Sequence, residues 1–154
     1  MKNGNNNEAQ SLGEVLDFMR LLWAVHHALQ TTSKRMEREI GITGPQRLVL
    51  RVLNQRPGLS AGELSRALHT DPSTLTGILR RLEERKLVQR TADSADARRV
   101  RLNVTAEGKR HARERTGTVE AAVKEALEKL SPDSVRQSRK VLTALAESLE
   151  AEAS

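Results

Sequence analysis

Cysteine is absent from the 154-residue chain, which excludes disulfides, thiolate metal sites and peroxide sensing through a cysteine sulfenic acid. Tyrosine is absent as well, and there is one Trp and one Phe. A core must therefore be built from Leu, Val, Ile and Ala, a composition that favours packed helices. Nowhere do about 18 apolar residues run together, so no membrane-spanning helix is expected. Residues 1–10 are polar and Asn-rich with no apolar stretch of the kind a secretion signal carries. These features predict a soluble, cytoplasmic protein with a disordered tail over 1–10. Also missing are a Gly-x-Ser-x-Gly elbow, a His-Glu-x-x-His pair, a phosphate loop and a dinucleotide fingerprint, so neither catalysis nor a cofactor is expected. The four histidines, His26, His27, His69 and His111, show no metal-ligand spacing.

What is present is charge. Charged residues make up 30% of the chain, with a formal net charge of +6 and a pI near 10.3. An anionic partner, nucleic acid or an acidic membrane surface, suits that balance. The excess is local: between Arg80 and Arg115 there are twelve Lys/Arg against six Asp/Glu. That is the footprint of a surface rather than of a tail, on a chain long enough for one domain of ordinary size.

Hydrophobic spacing orders the rest. Apolar residues recur on one helix face from Leu12 through Val15, Leu16, Met19, Leu22, Trp23 and Leu29, predicting a long first helix that Gly41 ends. Thr43 and Gln46 form a capping box for a helix over 45–54, and Ser60 with Glu63 form another, opening a short helix that turns Leu64, Ala67 and Leu68 inward. Asp71-Pro72 offers an N-cap and a first-turn proline for a helix to about Arg85. The period then changes: 87–91 and 100–104 suit strands, with a polar loop from Ala92 to Arg98. Thr105 caps a helix expected to reach about Leu130, and Ser131-Pro132 caps a last one. The expected fold is mainly α with a small β-hairpin. The terminal helices carry apolar stripes with little sheet to cover them, which points to a second copy of the chain.

On the helix from Asp71 the apolar residues Leu75, Ile78, Leu79 and Leu82 occupy one narrow arc. Ser73, Thr74, Thr76, Gly77, Arg80 and Arg81 are left outward. Short side chains let a helix enter a DNA major groove, hydroxyls and first-turn amides meet phosphate or base edges, and arginine clamps guanine bidentately. A solvated amphipathic helix has the same pattern; the preceding capped helix and the following basic hairpin favour the DNA reading. The hairpin loop ends in Arg98 and Arg99, which can reach a narrow minor groove. Asp96 either orients Arg98 or Arg81 or simply forms the turn.

The stretches DPSTLTGILRRLEERKLVQR and DSADARRVRLNVTAEG resemble the recognition helix and wing of the MarR (multiple antibiotic resistance regulator) family. The pattern S-T-x-T is met by Ser73, Thr74 and Thr76, D-x-R by Asp96 and Arg98, and L-T-x-x-G by Val104, Thr105 and Gly108. The resemblance implies a winged helix-turn-helix over 43–108, flanked by dimerisation helices at 11–42 and 109–154. It further implies a homodimer on a pseudo-palindromic operator in double-stranded DNA, and repression relieved by a small aromatic or anionic effector. Ser73 to Arg81 would enter the major groove and Arg98 the adjacent minor groove, with half-sites about one helical turn apart.

Two positions depart from the family pattern. Gly77 stands where many members carry arginine, which Arg80 or Arg81 would replace; close approach to DNA and neutral drift both account for it. Lys86 stands where the family often has glycine, so a left-handed backbone there would be mildly strained. For an effector the first helix offers Trp23, His26 and His27; against that reading, a Trp on an apolar stripe is more often core, and a histidine pair on a helix is more often one packed and one solvated residue. A nonspecific nucleoid-associated DNA-binding protein, using the same basic surface, is the alternative to a sequence-specific regulator, and an interaction protein is a third reading.

Overall fold

The computed structural model describes residues 13–153; the tail expected over 1–10, and Leu12, lie outside them. Among the described residues seven helices and one hairpin follow in order: α1 Glu14–Ile40, α2 Gly44–Gln55, α3 Ala61–Leu68, α4 Pro72–Glu84, β1 Val88–Ala92, β2 Val100–Val104, α5 Ala106–Arg113, α6 Val119–Glu128 and α7 Pro132–Glu152. Gly41 ends α1 in the left-handed region at φ 71°, the conformation glycine adopts without steric cost. Both expected capping boxes form, Thr43 with Gln46 and Ser60 with Glu63.

The core lies within α2 to α5. Val49, Leu50 and Leu53 of α2, Leu64 of α3, Leu75, Leu79 and Leu82 of α4, Leu102 of β2 and Ala112 of α5 bury against one another. The inward face of α3 differs from expectation: Ala67 is exposed, and Ser65 is buried with Leu64. The Ser65 hydroxyl donates to the Thr70 carbonyl oxygen at 2.5 Å, so a polar side chain is satisfied at the place where the chain must turn. The strands pair antiparallel with Val88 opposite Val104 and Ala92 opposite Val100. Leu59 adds a bridge to Leu102, joining the hairpin to the segment before α3.

The helix expected from Thr105 to Leu130 is two helices. α5 ends at Arg113, Gly117 takes φ 66°, and the Thr118 hydroxyl caps α6 by accepting the Ala121 amide at 3.2 Å. The Glu114 carboxylate accepts the Arg115 amide at 3.0 Å. The break follows from a glycine that admits a left-handed turn and a threonine that restarts the helix, while the apolar stripe expected of one long helix begins only at Val119. The boundary expected at 108 therefore falls inside α5, whose Ala112 belongs to the core.

α1, α6 and α7 are covered differently. Met36 is the buried residue of α1, and α6 and α7 have none. Val15, Leu16, Trp23, Val123, Leu127, Leu142 and Leu149 all stand exposed. The described residues of the chain leave these side chains uncovered. Among the described residues no helix is long and apolar enough to cross a membrane.

Candidate nucleic-acid interface

The turn between α3 and α4 is made by backbone as much as by side chains. His69 takes φ 47°, and the Thr70 amide donates to the Ser65 carbonyl oxygen at 3.1 Å. Asp71 then opens α4. Its carboxylate accepts the Ser73 amide at 2.8 Å and the Thr74 amide at 3.2 Å, and the Ser73 hydroxyl as well. The Ser73 hydroxyl, followed by these amides, holds the Asp71 carboxyl below its ordinary value.

Leu75, Leu79 and Leu82 are buried and Ile78 is half-buried; Ser73, Thr74, Thr76, Arg80 and Arg81 are exposed on the other face, with the half-buried Gly77 between them. The expected hydroxyl donors are partly engaged already. Ser73 gives its proton to Asp71 and Thr76 donates to the Pro72 carbonyl oxygen at 2.8 Å. With their protons so engaged, both hydroxyls keep oxygen lone pairs as acceptors. Arg80 lies 3.7 Å from Glu84, an exposed pair that costs little to break when a phosphate or guanine competes.

α4 ends on the lysine that replaces the expected glycine. Lys86 has φ 57°; its amide donates to the Glu83 carbonyl and the Leu87 amide to the Leu82 carbonyl, both at 2.8 Å. These are the paired bonds of a Schellman ending, completed by burial of Leu82 and Leu87. The motif persists despite the side chain because those contacts offset a strain of about 1 kcal/mol.

The hairpin loop is braced by a residue pair missed in the sequence. Asp93 is buried and accepts the Ala95 amide at 2.9 Å and Arg101 Nε at 2.7 Å. The Ala95 amide first, then Arg101, keep its carboxyl below the usual carboxylate range. Arg101 Nη1 also donates to the Gly58 carbonyl at 2.8 Å, fastening the loop to the turn before α3. The available signal was an opposite-charge pair eight apart across a hairpin. Of the two roles expected for Asp96 the structure has the turn-forming one: its carboxylate accepts the Arg98 amide at 3.0 Å, and the guanidinium it faces, at 3.8 Å, is that of Arg99 and not of Arg98 or Arg81. Arg98 and Arg99 are both exposed at the loop's end.

A helix-turn-helix of this kind, followed by a braced basic hairpin, has clear counterparts. The MarR family model matches residues 42–100. The HTH-type transcriptional repressor Rv2887 of Mycobacterium tuberculosis is 31% identical over 125 residues, covering 81% of this chain and 90% of that protein. The chain belongs to the MarR family. It is accordingly a transcriptional regulator and not an enzyme. Two solved structures share its winged-helix fold. S. aureus MepR in complex with DNA is 26% identical with a TM-score of 0.68, covering 89% of this chain and 99% of that one. PcaV from Streptomyces coelicolor, in complex with its natural ligand, is 25% identical with a TM-score of 0.71, covering 89% and 96%.

In this MarR-family chain the effector candidates are displayed rather than packed. Trp23 is 61% exposed, and His26 and His27 are exposed on the same helix, where a ring nitrogen of His26 meets the Gln30 side chain at 2.8 Å. An open apolar groove of about 540 Å³ lies elsewhere, between Leu48 of α2 and Val119, Val123 and Leu127 of α6. None of the three candidates lines it. In the sequence Val119, Val123 and Leu127 are only one helix's apolar stripe and Leu48 is not singled out, because nothing in their spacing says that α2 passes beside α6.

Proposed function

We propose that two copies of this chain bind a pseudo-palindromic DNA operator and repress transcription in the cytoplasm, and that a small aromatic or anionic effector releases them. Each subunit lays Ser73, Thr74, Thr76, Gly77, Arg80 and Arg81 into a major groove, with Arg98 and Arg99 at the adjacent minor groove. The carrying observation is the split face of α4, with Leu75, Leu79 and Leu82 buried and the polar and arginine residues outward. A solvated helix with no partner would not need a braced basic hairpin beside it.

Dimerisation is assigned to α1, α6 and α7, and its support is their uncovered apolar stripes. The winged helix-turn-helix unit is taken over 43–108 with its core continuing through Ala112. Trp23, His26 and His27 are offered to the effector, at a face where a second subunit would complete the enclosure. The complexes of MepR with DNA and of PcaV with its ligand support both halves of the proposal by likeness.

The test is binding to a pseudo-palindrome taken from the DNA around the chain's own coding region, against shuffled DNA at physiological salt. A preference of about a thousandfold is expected. Should selection from random sequences also yield no preferred site, with affinity falling steeply in salt, the protein coats DNA without reading it.

A further inference from the structure

The winged helix meets α6 at one buried arginine. Arg47 of α2 is 2% exposed, and a guanidinium so enclosed must find a partner for each donor. Its Nε donates to both carboxylate oxygens of Glu120, at 2.8 and 2.9 Å. Its Nη1 donates to the His111 carbonyl and its Nη2 to the Glu114 carbonyl. Arg51, one turn on, donates to the Ala112 carbonyl at 3.0 Å and lies 3.7 Å from Glu120.

These partners belong to different parts of the fold. The carbonyls of His111, Ala112 and Glu114 close the C-terminal end of α5, which helices leave unsatisfied. Glu120 sits in the first turn of α6, where a carboxylate is favoured by the helix dipole. Arg47 thus lies between the negative end of the last core helix and an acidic residue at the start of the next helix. The segment between, Glu114 to Thr118, contains the left-handed Gly117. Without a tie, such a segment would let α6 swing against the core.

We propose that Arg47 and Glu120 act as positioning residues that fix the angle between the winged helix and α6, and so the separation of the two recognition helices on DNA. This rests on the dimeric, operator-binding reading above. Neither residue is on the proposed DNA face, so neither reads bases. What the pair controls is half-site spacing: a rigid junction demands one spacing, and a loosened one accepts several, because the order formerly built into the protein must be imposed at binding.

The experiment measures affinity for operators carrying the selected half-sites with one base pair inserted or removed between them. Wild type is expected to show a sharp optimum. Glu120→Ala should flatten it, reducing the preference for the best spacing by roughly threefold or more, while discrimination against a base substitution within a half-site is unchanged. Glu120→Gln, which keeps an acceptor in reach of Arg47 Nε, should restore most of the optimum; should the alanine variant not fold, Glu120→Asp, whose carboxylate is one methylene short of Arg47, should flatten it, and an unchanged optimum there overturns the clamp equally. A core variant such as Val88→Ala, which lowers stability without touching the junction, should leave the optimum in place. An unchanged optimum in a folded Glu120→Ala protein overturns the clamp. Failure of wild type to prefer any operator would instead overturn the operator-binding reading.

Discussion

Gly108 packs against the backbone of Leu87 so closely that a Cβ on it would lie 2.1 Å from the Leu87 carbonyl oxygen and 2.7 Å from Val104 Cγ1. The same carbonyl accepts the Thr105 amide at 3.1 Å, and the Thr105 hydroxyl accepts the Gly108 amide at 3.0 Å. Threonine and glycine three apart therefore join the start of α5 to the end of α4. Helix propensity favours alanine over glycine by about 1 kcal/mol, but a backbone overlap of this size costs more, so Gly108→Ala should destabilise by about 2 kcal/mol. Urea unfolding measures it. A midpoint equal to or above wild type would contradict the packing argument.

Gly77 presents the opposite case. A Cβ there would meet nothing within 4 Å, so the folded chain gives no reason for glycine in mid-helix. Gly77→Ala should raise stability by about 1 kcal/mol. If DNA approaches the backbone at this point, the methyl also weakens operator binding by about tenfold. Thermal unfolding and operator titration of the same variant read both effects. Higher stability with unaltered binding would remove Gly77 from the interface.

These two glycines mark what the sequence can and cannot tell. Capping boxes at Thr43 and Ser60, the Asp71-Pro72 helix start and the hairpin strands were legible, since each rests on residues near in sequence. The outward set on α4 was legible for the same reason: a period and an arc define it. The break at Gly117 had a local signal too, a glycine followed by a capping threonine, but the stretch before it is so polar that no apolar stripe marks where the first of the two helices ends. Contacts between distant segments were invisible. Nothing near Arg47 announces Glu120, and Asp93 reads as one more loop aspartate until the fold brings Arg101 and Gly58 beside it. The exposure of Trp23, which lies on an apolar stripe, belongs to the same class, because a stripe does not say which surface covers it.

The Asp93–Arg101 brace makes the wing sensitive to acid. The Asp93 carboxyl is held below its ordinary value, so its contribution is present above the unfolded value of about 3.9 and is lost as pH falls through the folded one. Asp93→Ala should cause the same loosening at neutral pH. Amide exchange at Ala95 and Arg99, whose N–H groups bond to the Asp93 carboxylate and the Asp96 carbonyl, should quicken in the variant, with that of α2 unchanged. Equal protection in both proteins would mean the hairpin holds its loop without the ion pair.

His111 predicts a second pH dependence in a different window. Burial first, then the Arg85 cation, push its imidazole below the ordinary 6.5, with Arg110 and Arg47 acting the same way and Glu107 opposing them. The unfolded chain takes up this proton near 6.5 while the folded chain resists it. Stability therefore falls as pH drops below about 6.5 and levels off once the folded value is passed. At or above neutrality the residue is uncharged in both states and the effect vanishes. His111→Gln should flatten the urea midpoint between about pH 7 and pH 5.5, a range above the ordinary carboxylate values. The same slope in the variant would assign the loss to another group. A flattened profile would show that acid acts at the end of α5, where the carbonyl of this residue accepts Arg47.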